Sequence, residues 1–175
     1  MTADIPSSPR GSTRRAGGEH EVASHTAGPP RITIMRPSAC LALLRRHKVG
    51  RMAYAFQNRV DITPIHYVYE DGWLFARTSH GTKMSVLEHS PWVAFEVDEM
   101  EGVFDWRSVV VHGTAYSMPQ DGSPLEASLW QHGVEALRAI VPETGTDDDP
   151  VPYRSLVFGI HVDTITGRAS SSTRR

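Results

Sequence analysis

The stretch from Val60 to Lys83, VDITPIHYVYEDGWLFARTSHGTK, decides the fold. Val60 to Tyr69 reads as a strand, Glu70-Asp71-Gly72 as a tight turn and Trp73-Leu74-Phe75-Ala76 as the returning strand, so the segment predicts a β-hairpin. Pro64 has no N–H to give a ladder, which places it at a sheet edge or a bulge. After the second strand comes Arg77-Thr78-Ser79-His80-Gly81-Thr82-Lys83, and then Gly81 to Ser90, carrying Met84, Val86 and Leu87 and closed by Pro91, predicts a short helix.

This junction brings two cations, three hydroxyls and a glycine to a helix start, the outline of an anion trap. Free N–H groups point out of a helix N-terminus, the dipole adds partial positive charge, and a glycine admits close approach of an oxyanion. Arg77 is suited to bind phosphate oxygens as a fork and Lys83 as a point charge, with His80 adding a partly positive imidazole. The same residues also suit a plain helix cap from Thr78, Ser79 or His80, with Arg77 and Lys83 in solvent. Among eighteen basic residues only Lys48 and Lys83 are lysines, which singles out the second.

Upstream of the hairpin, Ala39 to His47 predicts a half-buried helix with Cys40, Leu41 and Leu44 on one face, and Arg51 to Phe56 a strand turning at Gln57-Asn58-Arg59. Downstream, Trp92 to Val97 and Ser108 to Tyr116 are strand-like, joined by the acidic connection Asp98 to Gly102. Leu125, Leu129, Gly133, Leu137 and Ile140 share one face of a later helix that Pro142 ends, and Ser155 to Ile165 forms the last strand. Six mostly antiparallel strands with inserted helices predict a mainly β protein, a small six-stranded barrel with peripheral helices. The domain is expected over 32–168, with a disordered N-terminal tail at 1–31, rich in proline, glycine and serine and holding Arg10, Arg14 and Arg15, and a flexible C-terminal tail at 169–175.

A chain of 175 residues, 39% hydrophobic, suffices for one domain with a core. Its net charge of −2 gives no overall attraction to nucleic acid or anionic lipid, and no apolar run is long enough for a signal peptide or a membrane span. The single cysteine, Cys40, makes no internal disulfide, in keeping with a reducing cytoplasm. Nine histidines, among them His66, His80 and His112, show none of the short spacings that place two metal ligands on one helix or strand face, so no metal site is expected. Neither a G-x-S-x-G elbow nor a dinucleotide-binding glycine fingerprint is present.

The ordered set Val49-Gly50-Arg51-Met52-Ala53, Ile62-Thr63-Pro64-Ile65-His66-Tyr67, Asp71 to Thr78, Gly81-Thr82-Lys83 and Trp106 to Gly113 resembles the pyridoxamine-phosphate-oxidase-like flavoproteins, particularly their nitroimidazole-resistance-like branch. The resemblance spans roughly residues 33–168. It implies an FMN-binding split barrel working as a homodimer, with the cofactor between the subunits. It further implies that Ile62, Thr63, Pro64 and Ile65 pass along the isoalloxazine ring, that Arg77, Thr78, Ser79, Thr82 and Lys83 take the phosphate, and that Trp106 and Ser108 lie near the ring edge. The implied activity is an oxidoreductase acting on a small planar molecule; a deazaflavin-dependent reductase and a non-catalytic flavin- or haem-binding module are the alternatives. The chain departs from vitamin-synthesis oxidases in having only Arg154 and Arg168 as basic residues near the C-terminus, and from nitroimidazole-reductase-like relatives in having Ala76 where they carry a histidine.

Overall fold

The computed structural model describes residues 29–171. In chain order the elements are β1 (Arg31–Ile34), α1 (Pro37–Arg46), β2 (Val49–Phe56), β3 (Arg59–Glu70), β4 (Trp73–Thr78), α2 (Thr82–His89), β5 (Trp92–Gly102), β6 (Asp105–Ser117), α3 (Pro124–Leu137) and β7 (Leu156–Ser171). The strands run β1-β7-β4-β3-β2-β5-β6, all antiparallel, and β6 pairs back onto β7. Strands β2 to β7 therefore close a six-stranded ring, the split barrel expected from the sequence, and β1 is a seventh strand laid on the far end of β7.

Both early hairpins turn in two residues with positive φ, Gln57-Asn58 (47°, 63°) and Asp71-Gly72 (46°, 84°), the handedness that matches the twist of the flanking strands. Inside the ring lie Met52, Tyr67, Leu74, Phe95, Val109, Val111, Phe158 and Ile160, sealed at one end by Cys40, Leu43 and Leu44 of α1. Tyr67 donates its hydroxyl to the Leu44 carbonyl at 2.8 Å and meets Phe95 edge-on at 4.7 Å. Gly50 is glycine because a Cβ there would stand 2.1 Å from the Phe95 ring. A second apolar layer, Phe75, Val134, Leu137 and Val157, fixes α3 to the outside of β4 and β7.

Three boundaries differ from the sequence expectation. β7 continues to Ser171, pairing Ser170 with both Ile32 and Trp106, so the ordered domain passes residue 168 and includes 169–171; only 172–175 of the expected C-terminal tail lie outside the described residues. At the other end β1 begins at Arg31, inside the expected N-terminal tail; residues 1–28, with Arg10, Arg14 and Arg15, lie outside the described residues. The acidic run Asp98 to Gly102 belongs to β5 rather than to a loop, because its charges meet cations across the sheet: Asp98 pairs with Arg51, and Glu99 with Arg46, His47 and Arg107.

Candidate functional site

Strand β3 is paired on both sides for only part of its length. Arg59 to His66 ladder with β2, whereas the ladder to β4 covers only Tyr67 to Glu70. The Tyr67 N–H donates to the Lys48 carbonyl at 2.9 Å, on the β2 side, so strand alternation turns the odd-numbered backbone groups of β3 toward β2 and the even-numbered ones away. Ile62, Pro64 and His66 consequently present carbonyls, and Ile62 and His66 also N–H groups, to an edge with no strand beside it among the described residues. Pro64 sits where its missing N–H costs no ladder bond, as expected of an edge. Thr63 and Ile65 differ from the expectation: their backbone groups are spent on Met52 and Gly50, and the Ile65 side chain is buried in the core.

Beyond the Tyr67–Ala76 pair the hairpin strands part, and β4 runs on with β7 as far as Thr78–Leu156. The turn Ser79-His80-Gly81 then enters α2, with all three residues exposed. No side chain caps α2: its N-cap is Gly81, so the alternative that Thr78, Ser79 or His80 caps the helix is not what forms. The Gly81 backbone is extended (φ 163°), a conformation open to any residue, and a Cβ there would touch nothing in the chain. Its lack of a side chain is therefore unexplained by packing and leaves the helix start open.

Lys83, half-buried in the first turn of α2, holds its ammonium 5.8 Å from the centre of the Phe158 ring and has no carboxylate partner among the described residues. Burial, reinforced by the positive charge of Arg154, lowers its pKa below the ordinary lysine value. Arg154 escaped the sequence reading as a member of this site. It closes the turn from Val151, its N–H donating to the Val151 carbonyl at 2.9 Å just before β7, and its charge acts on Lys83, 71 residues away, which no sequence pattern carries.

Arg77 does not join Lys83. Alternation along β4 sends Ala76 and Thr78 to the barrel side and Phe75 and Arg77 to the α3 side, where Arg77 pairs with Asp149. That hydrogen bond, together with N–H donation from Val151 and Gly145, holds the Asp149 carboxyl down at about 2. Arg77 is thus withdrawn from the expected phosphate set by strand geometry.

Trp106 and Ser108 lie on β6, where the Ser108 hydroxyl donates to Glu96 at 2.9 Å and Glu96 in turn accepts from Arg51 at 3.0 Å. Arg51 is the cross-strand neighbour of Pro64, so these polar groups form a band over the outer face from β6 to the free edge of β3. Three strand spacings separate Pro64 from β6, roughly 14 Å at about 4.8 Å each.

Among the described residues, Glu70, Asp71 and His132 bring three potential metal-ligand atoms within 4.8 Å of one another, the carboxylates exposed and the imidazole stacked on Phe75 at 5.0 Å. The histidine is 61 positions from Asp71, the nearer of the two carboxylates in sequence, beyond the reach of any spacing rule. His66 and His80 are both exposed beside the free edge and the turn.

With this geometry in place, comparison with known proteins decides the family. The pyridoxamine 5'-phosphate oxidase family model matches residues 36–169. The chain belongs to that family. Among solved structures, it is similar to an FAD-binding protein of Mesorhizobium loti (TM-score 0.66, 24% identity, covering 82% of this chain and 99% of that one). It is similar to a conserved protein of unknown function from Corynebacterium diphtheriae (TM-score 0.59, 26% identity, 80% and 98% covered). It also matches a candidate 5-nitroimidazole antibiotic resistance protein of Bacteroides thetaiotaomicron (TM-score 0.59, 12% identity, 83% and 92% covered). A curated relative, an uncharacterised protein of Rhizobium meliloti, is 24% identical over 88 residues, which cover 50% of this chain and 58% of that protein. The family and these likenesses make the chain a split barrel of the pyridoxamine-phosphate-oxidase type. No helix among the described residues is long and apolar enough to cross a membrane.

Proposed function

We propose that this protein is an FMN-dependent oxidoreductase acting on a small planar molecule, with the flavin held between two copies of the chain. The observation that carries the proposal is the uncapped, glycine-opened start of α2, set beside the unpaired ammonium of Lys83 and next to the free edge of β3. In this reading the Thr82 and Lys83 N–H groups, Lys83, Arg154, Thr78 and Ser79 hold the phosphate, each charge-assisted bond contributing about 1.5–3 kcal/mol. The backbone groups of Ile62, Pro64 and His66 flank the ring. A bound flavin would supply the hydride and electron transfer, while the chain positions the ring, excludes water from one side and places N–H donors and positive charge near it.

The second copy follows from distance. Trp106 and Ser108 stand too far across their own sheet to meet a ring that lies on β3, so in this arrangement they serve the ring of the partner. Apolar residues exposed on β2, β3 and the β5–β6 hairpin, Phe56, Val60, Ile62, Met100, Val103 and Phe104, would be covered by such a pairing. The buried thiol of Cys40 suits a cytoplasmic setting.

The visible spectrum of purified protein, followed by titration with FMN, FAD and a deazaflavin, tests the reading. The expected result is a two-banded yellow absorption with FMN bound, bleached by a reductant and restored by an acceptor. A Soret band would instead mark a haem protein, as in the FAD- and haem-binding protein of Mycobacterium smegmatis to which the fold is similar (TM-score 0.56, 14% identity, 82% and 75% covered). Failure to bind any flavin would sink the proposal. Gel filtration of the loaded protein at monomer size would remove the interface from it.

A further inference from the structure

On the opposite face of β4 from Thr78, β4, α3 and the segment 144–155 surround a cavity of about 260 Å³. Its apolar wall is made by Trp130, Val134 and Val157, and its charged residues are Arg77, Asp149 and Arg154, two cations to one anion. Arg77 is the unusual member. Its side chain is 10% exposed, Nη1 donates to Asp149, and Nη2 is buried with no acceptor among the described residues. A carboxylate normally takes two guanidinium donors at once. Asp149 does not do so: it takes Nη1 alone, its orientation being set by the Gly145 N–H on Oδ2 (3.1 Å) and the Val151 N–H on Oδ1 (3.0 Å). Turning it to serve both arms of Arg77 would break the loop that it organises. One arm of a buried guanidinium is thus left for an acceptor that the chain does not supply.

We infer that this cavity is a second ligand site, adjoining the proposed flavin cleft and sharing Arg154 with it, that takes a small aromatic monocarboxylate. The carboxylate would lie between the open arm of Arg77 and Arg154, with the ring against Trp130 and Val134. The excess of positive charge selects an anion, and the apolar wall selects an organic anion over inorganic phosphate. Arg77 is itself one of the residues that line the cavity, so a ligand there lies against its side chain.

Calorimetric titration of the full chain with benzoate, acetate and inorganic phosphate tests the site. Benzoate is expected to bind with one-to-one stoichiometry and more tightly than the other two. Arg77→Lys keeps a charge for Asp149 but removes the fork, and should weaken benzoate at least tenfold. Arg154→Gln, an exposed substitution that leaves the core untouched, should weaken it several-fold and keeps the test alive if the first variant fails to fold. Lys83→Ala should leave benzoate binding unchanged while flavin titration of the same variant reads the other site separately. Absence of benzoate binding, equal affinity in both arginine variants and the parent, phosphate binding tighter than benzoate, or a benzoate-soaked crystal with only water at Nη2 would each overturn the inference.

Discussion

Helices α2 and α3 begin in opposite ways. At α3, Ser123 accepts from the Glu126 N–H, Glu126 reaches back to the Ser123 N–H at 2.7 Å, and Pro124 fills the first position, where no N–H is needed. The α2 start has a glycine without a side-chain cap, a half-buried lysine without a carboxylate, and an arginine that repels it. The face of the molecule around α3 is also tied by Arg77 and Asp149, whereas the face around α2 leaves its positive charges uncompensated. One helix start is finished by the chain itself; the other is left open.

The largest expected effect lies on the closed side. Asp149→Ala leaves Arg77 buried without a partner and should cost about 3 kcal/mol or more in chemical denaturation, with flavin affinity little changed. Since Asp149 sits at about 2 in the folded protein against 3.8 unfolded, its contribution is fully present above pH about 4 and is lost as pH falls through about 2. The parent should therefore lose stability over that range more steeply than the variant.

On the open side, Lys83→Ala should weaken flavin binding tenfold or more, about 1.4 kcal/mol, read by quenching of flavin fluorescence; unchanged affinity would move the phosphate elsewhere. Because burial and Arg154 lower the Lys83 pKa below 10.5, flavin affinity should decline with rising pH earlier than an ordinary lysine would dictate. The sign for the flavin-free protein is opposite: the charged lysine is disfavoured in the fold, so stability rises as pH passes through the lowered pKa.

Two smaller changes sharpen the contrast. Ser123→Ala should cost about 1 kcal/mol of stability and leave flavin affinity alone, since the α3 cap serves only the fold. Gly81→Asp gives α2 the cap it lacks in a position with open space, so it should stabilise the flavin-free protein by about 0.5 kcal/mol while weakening flavin binding. A Gly81→Asp variant that binds flavin as well as the parent would break the comparison.

The hairpin from Val60 to Thr78 was legible because its turns and alternation are local, and the six ring strands followed from the same signals. β1 was not, since four exposed residues carry no burial pattern and its partner lies more than 130 positions away. The acidic end of β5 read as a loop because its neutralising cations come from α1, β2 and β6. For the site, Lys83 stood out by composition and helix position. The turning of Arg77 toward α3 was implicit in its sharing a face with Phe75, but Asp149, 72 residues on, gives no local sign of waiting for it. Arg154 became visible only in the folded chain, where its charge acts on Lys83.

β7 stands between β4 and β6 and follows both in the chain. On a ribosome, every other ring strand emerges while the gap that β7 fills is still open, with two unpaired edges exposed at once. Synthesis halted before Leu156 would release a sheet whose bare edges invite pairing with other nascent chains, so timely completion of the final sixteen-residue strand governs how much of this protein escapes aggregation.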